Sequence, residues 1–308
     1  MSNLVLLAIL MSYCCLANGG IPIGKCSSSA SAFPPDPKSG CCGIQETQDR
    51  LFGGNSTFVD QYPWLALIEY EKNGSLKTLC GGALISSRYV LSAANCVTGL
   101  ALRTLNPKNI RLGEYDLETE GPDCVELFDG GFDCSDGAVS IPIEKIIPHP
   151  EYLSQNRNHW NDIALIRMEK MAPYTDFIRP ICLPTTDMTL KTDPFHLIKS
   201  GWGQVGGLSN KKLQVDLPFV SQDKCQQVYS SSKYNVSLWK GQFCAGGEEG
   251  KDSCQGDSGM PLMYVNGRSF EAIGIVSFGS HPCGKLNIPS VYTNIYEYKS
   301  WINSNIIA

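Results

Sequence analysis

The 308-residue chain has only four histidines and no C-x-x-C pair, so the ligand spacing of a structural zinc site is missing. It also lacks an apolar run long enough for a membrane helix. The stretch LVLLAILM at residues 4–11 is too short to cross a bilayer. Excess positive charge is absent, and a formal net charge of −5 gives nucleic acid no reason to be a partner. There is no repeat of solenoid type. The opening Met-Ser-Asn carries no basic side chain, a departure from the usual start of a secretory signal.

What is present points to export. The apolar run ends near Cys15-Leu16-Ala17, where small residues suit signal cleavage, so residues 1–17 read as a signal peptide. Cys14 and Cys15 would leave with it, and the twelve cysteines that remain are an even set suited to an oxidising compartment. N-x-S/T sequons begin at Asn55, Asn73 and Asn235, consistent with a glycosylated, secreted, extracellular protein. Residues 18–50, with FPPDPKSGCCG, are rich in Gly, Ser, Pro and Cys without periodicity, and read as a short pro-segment instead of a folded domain.

From Leu51 the texture changes. Short runs such as YPWLALIEY, YVLSAA, NDIALIRM, FEAIGIVSFG and SVYTNIY are rich in β-formers and punctuated by Gly, Pro and Asn. That pattern predicts an all-β sandwich or barrel over residues 51–308. Ile295, Tyr298, Ile302 and Ile306 fall at helical spacing and predict one closing helix.

The chemistry centres on KDSCQGDSGMPL, residues 251–262. A serine set between glycines, Gly256-Asp257-Ser258-Gly259, can occupy a tight turn that exposes its hydroxyl and aims backbone N–H groups at one spot. It has ordered company: RLFGG at 50–54, CGGALISSRYVLSAANC at 80–96, NDIALI at 161–166, GWG at 201–203 and SFGSHPCG at 277–284. Together these strings resemble the trypsin-like serine proteases of the chymotrypsin fold. The resemblance covers residues 51–308 and implies two six-stranded antiparallel β-barrels with a C-terminal helix and an active site in the cleft between them.

Residue by residue, the resemblance implies Ser258 as the nucleophile, the N–H groups of Gly256 and Ser258 as oxyanion donors, and Asp162 as the carboxylate that orients the base. It puts Asp252 at the base of the specificity pocket, with Gly279 and Ser290 in the pocket walls. A carboxylate there selects Arg or Lys by charge-assisted hydrogen bonds. Arg50–Leu51 matches the activation site, after whose cleavage the freed amine would pair with Asp257. No cofactor is required for such a reaction.

Two positions depart from the family pattern. Asn95 stands where the family has its histidine base, and an amide has no accessible pKa near neutrality with which to take a proton from Ser258. Ser290 stands where a glycine usually precedes V-Y-T, and its side chain would crowd a long basic group reaching for Asp252. His159, three residues before Asp162, is the nearest candidate for a substitute base or, alternatively, a wall of the substrate groove.

The family also implies the pairing of the cysteines: Cys80–Cys96, Cys225–Cys244, Cys254–Cys283, a loop pair Cys124–Cys134, and Cys42–Cys182 joining leader to barrel. This leaves Cys26 for Cys41. With the loop pair, the chain looks like the arthropod clip-domain proteases of extracellular cascades such as prophenoloxidase activation and Toll-ligand processing. A full clip domain has six cysteines and this leader three, so the module reads as truncated or absent. The segment from Glu114 to Asp136 carries nine acidic residues and no basic one. It reads either as a solvated acidic loop or, as in some relatives, as a calcium site near Glu114. Two function classes stay open: a non-catalytic homologue that binds a cascade protease or its substrate, and a weakly active endopeptidase cleaving after Arg or Lys. Either would be a monomer of two disulfide-linked chains after activation, with protein partners and no membrane.

Overall fold

The computed structural model describes residues 26, 30–45, 57–99, 102, 105–127, 130–192, 194–204, 207–231, 233–254 and 256–308. The anticipated signal segment, Arg50, Leu51 and Asn55 lie outside the described residues.

Strands β1 (Leu65–Lys72) and β2 (Ser75–Leu84) are joined by Asn73-Gly74, both at positive φ, 52° and 78°. Asn and Gly tolerate that backbone, and the turn it makes matches the twist of the two strands. With β3 (Tyr89–Ser92), β4 (Asn106–Leu112), β7 (Val139–Pro148) and β8 (Ala164–Met168) they close an antiparallel barrel in the order β1-β2-β3-β8-β7-β4. A two-stranded hairpin, β5 (Cys124–Glu126) with β6 (Phe132–Cys134), stands outside it.

The second barrel takes β9 (His196–Gln204), β10 (Gly207–Val220), β11 (Gln242–Gly246), β12 (Pro261–Asn266), β13 (Ser269–Phe278) and β14 (Pro289–Asn294), in the order β10-β11-β14-β13-β12-β9. The expected pair of closed six-stranded barrels is therefore present. Closure removes the edge strands that would otherwise template aggregation.

Strands β3, β8, β11 and β14 are buried along their whole length, because one face lines a barrel and the other is covered by neighbouring segments. Between the barrels, the fully buried Trp64 aims its indole N–H at Met263 Sδ, 3.0 Å away. Gly81 of β2 gives its N–H to the carbonyl of Ser258 at 2.9 Å. A Cβ at Gly81 would come within 2.2 Å of the Met260 side chain, so the glycine is what lets the serine segment dock on the first barrel.

The leader is not free of the barrels. Gly43 donates to the carbonyl of Pro180 and accepts from Phe270 N–H, both at 2.8 Å, and Ser31 accepts from Ser87. Cys42 is bonded to Cys182, and Cys26 to Cys41. The other disulfides are Cys80–Cys96, Cys124–Cys134, Cys225–Cys244 and Cys254–Cys283.

The α-helices whose bounds lie among the described residues are short: α1 (Ala94–Val97), α2 (Gln222–Tyr229) and α3 (Lys299–Asn305). The closing helix differs from its expected extent. Its first turn, Ile295–Tyr298, is 3-10, started by the Asn294 side chain accepting from Tyr296 N–H, and Ile306 is already extended. Ile295, Tyr298, Ile302 and Ile306 are nonetheless all buried. Burial selects which side chains face inward, and it tolerates a change of helical pitch along the way.

Candidate active site

Four segments meet at the cleft: α1 after β3, the loop 149–163 before β8, the turn 251–260 before β12, and the loop 279–288 between β13 and β14. The first two come from one barrel and the last two from the other.

Asp162 is completely buried. Its Oδ1 accepts the Asn95 backbone N–H at 2.8 Å. Its Oδ2 accepts Asn95 Nδ2 at 2.7 Å and the Ser277 hydroxyl at 2.5 Å. Thr293 Oγ1 donates to the backbone carbonyl of Asp162 at 2.8 Å. Asn95 Nδ2 gives its other proton to the Ser277 carbonyl at 3.1 Å. Both amide protons are thus committed, leaving Asn95 Oδ1 as a neutral acceptor with no basicity.

Desolvation raises the Asp162 carboxyl to about 6, against the hydrogen bonds from Ser277 and Asn95 that lower it. This value lies above the ordinary 3.8, so the folded chain holds that proton more tightly than the unfolded chain does. The carboxyl therefore contributes stability at low pH that is lost as pH rises through about 6. Carbon-13 NMR of the Asp162 carboxyl should show a midpoint near 6, and a midpoint below 4 would overturn this account.

The serine turn is held on several sides. Asp257 N–H donates to the Cys254 carbonyl at 3.0 Å, and Gly259 N–H to the Val276 carbonyl at 2.9 Å. Gly256 and Gly259 sit at φ 97° and 84°, where any other residue would be strained. A Cβ on Gly259 would also meet the Gly81 carbonyl oxygen at 2.3 Å. Among the described residues, nothing hydrogen-bonds to the N–H of Gly256, the N–H of Ser258 or the Ser258 hydroxyl. Two free donors beside a free hydroxyl are the geometry that binds a developing oxyanion.

Asp257 is buried beneath this turn. Its Oδ1 accepts Gly203 N–H and its Oδ2 accepts Cys254 N–H, each at 2.9 Å, and Oδ2 also pairs with Lys199 Nζ. The resemblance implies a freed chain terminus there, and the structure places Lys199 instead. The one local signal was a cation amid the apolar HLIKSGWG stretch.

Ser290 reaches Asp252 where the resemblance implies a glycine. Asp252 Oδ1 accepts Ser253 N–H at 2.8 Å and the Ser290 hydroxyl at 2.5 Å, while Oδ2 accepts Gly284 N–H at 2.8 Å. A Cβ on Gly279 would stand 2.3 Å from Ser290 Oγ, which shows how near the Ser290 side chain lies to the opposite wall. Burial pushes the Asp252 carboxyl up, and the Gly284 and Ser290 hydrogen bonds pull it down. A bidentate guanidinium entering here would have to displace Ser290 from Asp252 Oδ1, while Oδ2 keeps a lone pair beside Gly284 N–H.

Among the described residues, no hydrogen bond joins Asn95, Asp162 or Ser258 to the ring of His159. Its ring stacks on Phe278 at 4.8 Å between centroids, and burial lowers its pKa. Its buried Nδ1 has no hydrogen-bond partner among the described residues. Asn73 and Asn235 are exposed, each on a backbone of positive φ.

At Glu114, where the resemblance allows calcium, the structure places an ion pair. Its carboxylate pairs with Arg111 Nε and accepts Tyr115 N–H at 2.8 Å, so a guanidinium already occupies its open side. Among the described residues no group of three or more His, Cys, Asp or Glu is placed to hold a metal ion. Of the acidic residues in this segment, Glu118, Glu120, Glu126 and Asp136 are exposed, whereas Glu114 and Asp123 are buried.

The family model described as "Trypsin" matches residues 51–302. The chain belongs to the trypsin family. Members need no cofactor for their reaction. The phenoloxidase-activating enzyme of Bombyx mori is 49% identical over 295 residues, covering 92% of this chain and 67% of that protein. Serine protease ea of Drosophila melanogaster is 44% identical over 301 residues, covering 91% of this chain and 75% of that protein. Among solved structures, the Drosophila Grass clip serine protease of the Toll pathway superposes with a TM-score of 0.71. It is 36% identical and covers 85% of this chain and 73% of that one.

Proposed function

We propose that this trypsin-family member is a secreted, catalytically impaired serine protease homologue of an extracellular proteolytic cascade of the immune or melanisation type. In this reading its cleft binds a cascade protease or a substrate protein instead of cutting it. The observation that carries the reading is Asn95, whose amide spends both protons on Asp162 and Ser277 and offers Ser258 no base. The pocket supports it, because Ser290 occupies the carboxylate that a basic side chain would need. Relatives named as a phenoloxidase-activating enzyme and a Toll-pathway protease support the kind of cascade.

In this proposal Ser258 is a retained nucleophile, Gly256 and Ser258 retain the oxyanion donors, and Asp162 holds an amide in place of an imidazole. Cleavage after Arg50 would leave two chains joined by Cys42–Cys182. Six disulfides support an oxidising compartment, and no helix among the described residues is long and apolar enough to cross a membrane.

A second reading, a weak endopeptidase cleaving after Arg or Lys, is favoured by the free Ser258 hydroxyl and the retained Asp252. The two are separated by expressing the chain, cutting it after Arg50 and supplying an arginyl ester. The parent should turn over about 10³-fold or more below a trypsin control, since oxyanion hole and binding alone supply only a small residue of triad catalysis. Turnover within about tenfold of that control would sink the impaired reading.

A further inference from the structure

Asp257 precedes the serine, and its side chain folds back under the turn that presents Ser258. That carboxylate has no solvent exposure and so needs a fixed cation or a full set of donors. The trypsin-family expectation is an amine released by cutting. Among the described residues of the uncut chain the cation is instead a side chain. Lys199 lies on β9 between Val215 of β10 and Leu262 of β12, its side chain only 3% exposed, with Nζ against Asp257 Oδ2.

The fit is close on the other sides as well. A Cβ at Gly201 or Gly203 would come within 2.6 or 2.2 Å of a carboxylate oxygen, so Asp257 lies flush on the strand that carries Lys199. Oδ1 is taken by Gly203 N–H and Oδ2 by Cys254 N–H together with Lys199. A second cation would displace Lys199 Nζ, share Oδ2, or take the remaining lone pair of Oδ1 beside Gly203 N–H. The Cys254 bond closes the turn from its side-chain end, while Asp257 N–H to the Cys254 carbonyl closes it from the backbone. Together they hold Gly256 N–H and Ser258 N–H facing outward.

We propose that Lys199 is a built-in counter-ion for Asp257 and a positioning residue for the Gly256–Ser258 turn, so that the cleft is ordered in the uncut chain. The inference does not depend on whether the cleft cuts or binds. A binding homologue built this way presents its cleft without waiting for cleavage after Arg50. Lys199 also acts electrostatically on Asp252, so one buried cation serves both the serine turn and the pocket base.

Hydrogen–deuterium exchange tests it on the full chain carrying Arg50→Gln, with residues 65–72 of β1 as the internal reference. Residues 252–262 should be protected in this uncut chain, and cutting the parent between residues 50 and 51 should change their exchange less than about threefold. Lys199→Met should speed exchange of 252–262 by about 100-fold while the β1 reference holds, and Lys199→Arg, which keeps the cation, should restore protection. If Lys199→Met exchanges everywhere, the neutral pair Lys199→Met with Asp257→Asn removes the lone buried charge. Its turn should still exchange about tenfold faster than the parent's. Parent-like protection in either Met variant would overturn the proposal. So would failure of Lys199→Arg to restore protection, or a protection gain above tenfold when the parent is cut.

Discussion

Asn95→His should raise hydrolysis of a small-side-chain peptide ester, such as an alanyl ester, by about 10³-fold or more. The geometry for this step is already assembled apart from the ring. Asp162 is held by Ser277 Oγ and by the backbone N–H of residue 95, neither of which depends on the residue 95 side chain. An imidazole N–H would replace the amide donor now 2.7 Å from Asp162 Oδ2, and the other ring nitrogen would face the cleft. Residue 95 is only half-buried, so the larger ring has an open side to fill. In a comparable triad, loss of the histidine alone costs about 2 × 10⁶ in kcat, which sets the scale available for recovery. The alanyl ester keeps the pocket out of the measurement. A gain below about tenfold would place the defect in the serine turn instead of the missing base.

Ser290→Gly should tighten binding of benzamidine by about 100-fold, about 2.7 kcal/mol. In the parent, an amidinium must break the 2.5 Å Ser290–Asp252 hydrogen bond and push aside a side chain lying near Gly279. Without the hydroxymethyl, Asp252 Oδ1 keeps only Ser253 N–H and gains a lone pair for the ligand, and the charge-assisted bond is the stronger kind. Isothermal titration measures the difference directly. Equal affinity in parent and variant would show that Ser290 yields at no cost. Combined with Asn95→His, the substitution should confer arginyl-ester turnover in an additive manner. The two changes act on different carboxylates, Asp162 and Asp252, through separate hydrogen-bond sets.

Much of this site is readable from the linear sequence, because each of its parts is local. Gly256-Asp257-Ser258-Gly259 specifies a turn through glycines whose positive φ no neighbour has to impose. Asn95 sits in an ordered string, and what it cannot do follows from the chemistry of an amide wherever the fold puts it. Short β-rich runs between turn residues suffice to read an all-β sandwich or barrel, and the resemblance of the ordered motifs to the trypsin-like proteases supplies the two-barrel fold. Ser290 stands out in sequence as a side chain where relatives have hydrogen, which suffices to predict crowding.

The contacts that complete the site were not readable. Lys199 and Asp257 are 58 positions apart, and only the pairing of β9 with β12 brings that lysine under the serine turn. Ser277 is within a recognisable string, yet its hydroxyl on Asp162 depends on two barrels meeting. The contact of the Ser290 hydroxyl with Asp252 is likewise a matter of where β14 runs beside the 251–260 turn. Glu114 is acidic in the sequence, and the fold pairs its carboxylate with Arg111. The ordered motifs, through their resemblance to the trypsin family, determined that this chain folds as a protease with Asn95 where the family has its histidine. Which groups neutralise its buried carboxylates was decided by strand register, because a charge out of water is set by whatever the fold brings within a hydrogen bond's length.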